Sequence, residues 1–348
     1  MLNLRPMSYD ELSVYPSIMA EQPAVKTSGR YSFIPTTRVI EQFEAMGFYP
    51  MKVQEARANE DHRGFQKHIV RFRQPGIDPI GVDQLFPEIV LVNSHDAGNA
   101  FSLMAGIYRL ICLNGMVVGE SFGGPLKINH VGYTDQAVRE AVKMIGDRLP
   151  GVVDKVAEFK EIEMTPDDAG VFAYHALGVK YGQEALMTRD FDTEALLAPV
   201  RQVDTSPALW SAYNTVQEKL VERGARIERR EMKRSYWNRE NRAWEKSKIV
   251  AAKPANSPTE NIRVNKGLWD LTEEFDKRIK EKGHFTPGIA AWMKEEFAKQ
   301  RKEIKQRKAD QLSNHPPYGL AQTPSMNISE WEMLHGKPVN TTGSSLNN

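Results

Sequence analysis

Two groups of residues in this 348-residue chain have types and spacings that chemistry could use. The first is Asn93-Ser94-His95-Asp96, placed just after an apolar run, with Asp61-His62 upstream. A histidine beside a carboxylate suits proton transfer or a divalent metal. A metal needs further ligands at fixed local spacing, and the chain has no His-x-x-x-His and no second carboxylate in register. Cys112 is the single cysteine, so no thiolate set completes the site. A His and an Asp at a strand end more often cap a turn, and no catalytic residue or metal ligand is assigned. Gly119, Gly123 and Gly124 lack both the Walker lysine and the dinucleotide fingerprint, so they read as turn glycines and no cofactor is expected.

The second group is cationic. In the segment 66–73, a period of two puts Lys67, Arg71 and Arg73 on one strand face with Ile69, about 7 Å apart. A row of cations at that spacing suits a phosphate backbone, each contact releasing a counterion. The stretch 223–248 holds ten basic residues against four acidic ones. Among them Arg226, Arg229, Arg230, Lys233, Arg234, Arg239 and Arg242 are interleaved with Tyr236, Trp237 and Trp244. Cations that neutralise phosphates beside aromatics that stack on bases are the equipment of sequence-tolerant single-strand binding. The competing reading is a solvated helix whose aromatics rest on the body. Arg109, inside an apolar strand, is either paired internally or lines a groove. Residues 294–308 add seven basic and three acidic residues, whose i,i+4 pairs describe a self-supporting exposed helix.

Elements must position these groups. Residues 1–29 carry few periodic apolar positions and read as an arm. Tyr31–Ile34 reads as a short strand, followed by a helix with Thr36 as N-cap and Gly47 at its C-terminal end. Strands are expected over 49–57, 66–73 and 88–94, the last buried on both faces. Asn114-Gly115 marks a hairpin between a strand from Ile107 and a return strand Met116-Val117-Val118, and 126–131 adds a strand or ordered loop. Helices follow at 135–148, 151–163, 167–181 and 207–224, then, after a linker at 251–261, at 265–282 and 288–312. Strands first and helices afterwards argue for α+β: a twisted antiparallel sheet, a meander backed by helices, with a helical C-terminal extension. The organisation expected is an arm (1–29), an α+β core (30–205), a helical and basic region (206–283), and a helix with a mobile polar tail (284–348). The composition, 41% hydrophobic and 26% charged with a net charge of +1, is globular. With no signal-type leader and no apolar run near the ~20 residues of a membrane span, the protein is expected in the cytoplasm, away from membranes.

Three stretches carry a family resemblance: Arg30-Tyr31-Ser32-Phe33-Ile34-Pro35-Thr36 through Lys67–Arg73; Val92-Asn93-Ser94-His95-Asp96 through Asn114-Gly115; and Leu209–Leu220 through Val264-Asn265-Lys266-Gly267-Leu268-Trp269. Over roughly residues 28–280 the chain resembles the phage/plasmid-like family, a family of unknown function common on phages and conjugative plasmids. The family's Arg/Thr-rich run is here Arg229-Arg230 and Lys233-Arg234-Ser235, without the threonines, and residues beyond about 283 have no counterpart. The meander followed by a long helix is similar in outline to the ring- or filament-forming strand-annealing proteins of phages. Together with the cations, this setting implies single-stranded DNA, or RNA, as partner, for strand protection or annealing in replication or recombination and without chemistry. The 66–73 face and the 223–248 segment would form one site, within a subunit or across a homo-oligomer. The alternatives are a counter-defence protein that binds a host protein and a metal-dependent nuclease centred on His95 and Asp96.

Overall fold

The computed structural model describes residues 5–25, 27, 31–76, 79–80, 84–110, 114–119, 124–128, 134–238 and 242–313, apart from the side chains of Asn114, Lys233 and residues 311–313. The sequence expectations at Arg239, at Gly123 and over the tail beyond 313 lie outside the described residues. The chain forms two compact units. One comprises the residues up to Glu158 with Ala255–Asp270, and the other Phe159–Pro254 with the chain from Leu271. The division therefore falls inside the expected 30–205 core and inside the last long helix but one. No helix among the described residues is long and apolar enough to cross a membrane.

The first unit is built on an antiparallel sheet of β1 (Tyr49–Glu55), β2 (His68–Arg73), β3 (Leu85–Asn93), β4 (Phe101–Arg109) and β5 (Asn114–Val117), in that order, with β6 (Leu126–Ile128) beside β5 on β4. One face carries Phe72, whose ring lies 4.1 Å from that of Phe43 of helix α2 (Thr36–Ala45), tilted by 31°. Helix α3 (Asp135–Gly146) buries Val138, Ala141, Val142 and Ile145, and α4 (Leu149–Glu161) follows it. The other face holds Ile69, Val90, Val92, Met104 and Val117, and Ile262 from the first half of α9 (Pro258–Lys282) packs on them. Both faces are covered, which is why β3 is an almost unbroken apolar run.

Several expectations are corrected here. Residues 5–25 are not a loose arm. They contain α1 (Tyr9–Ser13) with its Ser8–Glu11 capping box, and they bury Ile18 completely. They are also tied to the sheet by the Ser17 hydroxyl, which donates to Glu55 at 2.7 Å, and by Ala24 N–H, which donates to His95 O at 2.9 Å. Residues 31–34 form no strand. Thr36 does not cap α2; it is buried in the first turn, its hydroxyl 2.9 Å from His68 Nε2 and 3.2 Å from Asn93 Nδ2. The Asn114-Gly115 hairpin exists but the pair does not make its turn: Arg109 opposes Asn114 and Tyr108 opposes Gly115, so both sit in the return strand.

The second unit gathers α5 (Pro166–Tyr181), α6 (Gln183–Thr188), β7 (Asp190–Phe191), α7 (Thr193–Leu197), α8 (Leu209–Gln217), β8 (Ala225–Asn238), β9 (Ala243–Ala252), the second half of α9 and α10 (Ile289–Ser313). Helix α5 begins with a capping box between Thr165 and Asp168. The wholly buried Asp168 also accepts from Phe285 N–H (2.8 Å) and lies 2.7 Å from His284 Nδ1, tying the turn before α10 to the start of α5. Together the antiparallel sheet and the helices make this an α+β protein.

Candidate nucleic-acid interface

The structure separates the two cationic regions by burial. Arg71 and Arg73 are only 5% and 4% exposed, on the sheet face that Ile262 covers. Both guanidiniums reach the buried carboxylate of Glu88: Arg71 Nη1 at 3.0 Å and Arg73 Nε at 3.1 Å. Arg71 also donates to Met116 O (3.2 Å) and Gly115 O (3.1 Å), and Arg73 lies 4.0 Å above the Tyr108 ring. A Cβ on residue 115 would stand 2.6 Å from Arg71 Cζ, so this glycine is required by the approach of the guanidinium rather than by a turn. Burial pulls the Arg73 pKa below its ordinary value, while Glu88 beside it works the other way.

Phosphates do not reach these groups, and the expectation that Arg71 and Arg73 line an open cationic face is corrected. Lys67 is half-buried, its ammonium donating to Thr259 Oγ1 at 3.2 Å, and burial lowers its pKa. Arg109 is wholly buried at the end of β4, so it lines no groove. The expected joint site of this face with residues 223–248 loses its first half.

His95 and Asp96 take the capping role. His95 is fully buried with Nε2 2.9 Å from Ser17 O, and Asp96 Oδ1 accepts from Gly98 N–H at 2.9 Å. Desolvation first, and His95 second, hold the neighbouring His68 down at about 3. Among the described residues no three His, Cys, Asp or Glu side chains are grouped to hold a metal.

The 223–248 segment, read in sequence as polar and basic, is a two-stranded ribbon of β8 and β9 and not a helix. Its base is fixed. Gly224 has a φ of +77°, and a Cβ there would meet Ala252 O at 2.3 Å, so the entry into β8 admits no side chain. Ile227 is fully buried, and its carbonyl accepts from Asp192 N–H at 2.8 Å. The Glu228 carboxylate accepts from Arg189 Nε (3.0 Å) and Arg230 Nε (2.8 Å). Burial alone would raise its pKa, but the two arginines outweigh that and bring it to about 2. β7 pairs only with Glu228 and Arg229, and beyond them the ribbon continues on two strands.

Register decides what the ribbon displays. Arg230 opposes Lys248 and Glu231 opposes Ser247, yet Tyr236 opposes Glu245 and Trp237 opposes Trp244. Four residues of β8, 232–235, thus face the single residue Lys246, a bulge of three extra residues. An odd insertion reverses the alternation, so Trp237 shares a face with Arg230 instead of opposing it. On β9 the ladder is regular, and Trp244, Lys246 and Lys248 lie on that same face.

Trp237 and Trp244 are 49% and 70% exposed, with ring centroids 5.8 Å apart at 68°. Tyr236 lies on the opposite face, its hydroxyl donating to Ser247 O at 3.0 Å, so the expected aromatic trio is split into a displayed pair and a brace.

The cations divide likewise. Arg230 is engaged by Glu228, Arg229 Nε lies 3.8 Å from Asp190 Oδ2, and Arg226 donates to Ile249 O at 3.3 Å. Arg234, Arg242, Lys246 and Lys248 are exposed. Of Lys233 only the backbone is described, in β8. Sequence reading counted Lys246 and Lys248 in the basic surplus but did not assign them to the site; the signal was the period-two run Trp244-x-Lys246-x-Lys248.

Comparison with known proteins adds identity but no activity. The family model described as "Domain of unknown function (DUF932)" matches residues 25–269, which include the ribbon. The chain is 31% identical over 227 residues to UPF0380 protein YafZ of Escherichia coli (strain K12), covering 63% of this chain and 79% of the relative. It is 31% identical over 223 residues to UPF0380 protein YfjQ of the same organism, with the same coverage. No solved structure matches significantly. With a match over most of its length, and in agreement with the phage/plasmid-like resemblance of its motifs, the chain belongs to the DUF932 family.

Proposed function

We propose that this protein binds single-stranded nucleic acid through the β8–β9 ribbon. The observation that carries the reading is the Trp237–Trp244 pair, 49% and 70% exposed, on the ribbon face that also bears Lys246 and Lys248. Two large indoles held in water are costly to keep unless they meet a ligand, and every base offers a π-face for them. The residues on β9 repeat about every 7 Å along the face, a spacing at which lysines meet successive phosphates. The ribbon needs no chemistry for this, and the site acts by stacking and charge neutralisation, consistent with strand protection or annealing in the host cytoplasm. DNA is the partner the mobile-element resemblance favours, with RNA sharing the same chemistry.

Exposed tryptophan beside cations also fits a protein interface, so a host protein is the second reading. Fluorescence anisotropy with a labelled single-stranded oligonucleotide and its duplex separates the two. Trp237→Ala is expected to weaken single-strand binding about 5- to 150-fold, the loss of one stacked base, and duplex binding much less. Equal loss on both ligands, or no oligonucleotide binding by the unaltered protein at low salt, overturns the proposal.

A further inference from the structure

Helix α10 lies beyond the residues matched by the family model, which end at 269. Its second half is strongly cationic: residues 299–308 hold six basic side chains and one acidic one. From Lys302 to Asp310 every residue except Ile304 is exposed, so this half of the helix contributes little to the core.

The helix is nonetheless fixed in position. Arg301 donates to Asp190 Oδ1 at 3.0 Å and to the carbonyls of Leu186 (3.2 Å) and Arg189 (3.3 Å). Lys305 Nζ lies 2.7 Å from Glu231 Oε1. Asp190 is the register partner of Arg229, so α10 touches the ribbon base at the level of Arg229 and again at the level of Glu231. Four helical residues advance about 6 Å and two strand residues about 7 Å. The two contacts advance in step, and the turn after Lys305 carries the exposed Arg307 and Lys308, as the bulge 232–235 after Glu231 carries the exposed Arg234.

We infer that the distal half of α10, with Arg307 and Lys308, is a second phosphate-binding element for the same single-stranded nucleic acid, added to the footprint that the tryptophan face begins. The occupant follows from charge complementarity: exposed cations that no core requires, on a helix tethered to the ribbon at Glu231, suit a polyanion. The inference rests on the ribbon reading. It adds to that reading contacts for a strand longer than the ribbon face can hold, because Trp244 to Lys248 spans only about 13 Å and the α10 cations stand on a separate element.

The test uses the full chain carrying Arg307→Gln and Lys308→Gln together, with single-stranded oligonucleotides of about 5 and about 15 nucleotides. The expected result is a fall in the slope of log K against log salt of about 0.7 per lost contact, up to about 1.4, on the long ligand only. Unchanged slope on the long ligand, while Trp237→Ala still weakens it, overturns the role of α10 and leaves the ribbon reading in place. Equal weakening of both lengths overturns it too, since the effect is then general charge and not added footprint. If Trp237→Ala is also without effect, the ribbon reading falls and this inference with it.

Discussion

The arginines of β2 and those of β8 have the same chemistry and opposite fates. On β2, Arg71 and Arg73 share a face with Ile69, and the core closes over all three; each then needs Glu88 to be tolerated, and Arg71 a glycine at 115 as well. On β8 only the first residues meet the body, where Ile227 and Glu228 are buried, and from Arg234 to Lys248 no described residue is buried. A charge on a strand is thus an internal constraint or an external surface depending on whether a second layer covers its face. Internal charges set stability, and external ones are available to a partner.

The largest effect that tests this contrast is at Glu88. Glu88→Ala leaves two buried guanidiniums without their carboxylate and should cost about 3–5 kcal/mol, read as a lower urea midpoint. Arg71→Ala should also lose stability, with affinity for single strands unchanged in the protein that remains folded. A stable Glu88→Ala variant would break the comparison.

Acid should act on the interior as well. His68 is buried and His175 partly buried, and desolvation lowers them from 6.5 to about 3 and about 4. Their folded values lie below the unfolded one, so between these limits the unfolded chain binds more protons. Their contribution is complete above about pH 6.5 and is lost as pH falls towards 3–4. Denaturant midpoints at pH 7 and pH 5 should therefore differ, and the difference should shrink in His68→Gln. Equal midpoints would show that these rings are not held neutral by the fold.

Gly115→Ala should destabilise by about 1–3 kcal/mol, the cost of overpacking, because the methyl meets Arg71. On the ribbon the signs reverse. Trp237→Ala should leave stability within about 0.5 kcal/mol while lowering affinity. Lys246→Gln, the smallest change, should reduce only the salt slope, by about 0.7. A drop in melting temperature for either ribbon variant would mean that this surface supports the fold after all.

The meander, the helix positions and the shared parity of Ile69, Arg71 and Arg73 were legible in the chain. What parity could not say is which face is covered, since the cover comes from Ile262, nearly two hundred residues downstream. Ile69 on the cationic face was the available hint. The ribbon was hidden for a local reason. Fourteen residues of β8 with few apolar side chains carry little alternation, and the three extra residues at 232–235 break what there is. The leader was misread because its burial rests on single residues such as Ile18, which have no period to detect.

The bulge has a mechanical consequence. β9 passes it without interruption and only Lys246 stands opposite, so at that level the two strands lose their regular pairing. Bulged strands bend and twist more sharply than regular ones. The ribbon is thus an arm with an elbow: its shoulder is clamped at Glu228 and Glu231, and its hand is the tryptophan pair. On the proposed reading, a curved single strand would be followed by turning the hand while the shoulder stays closed.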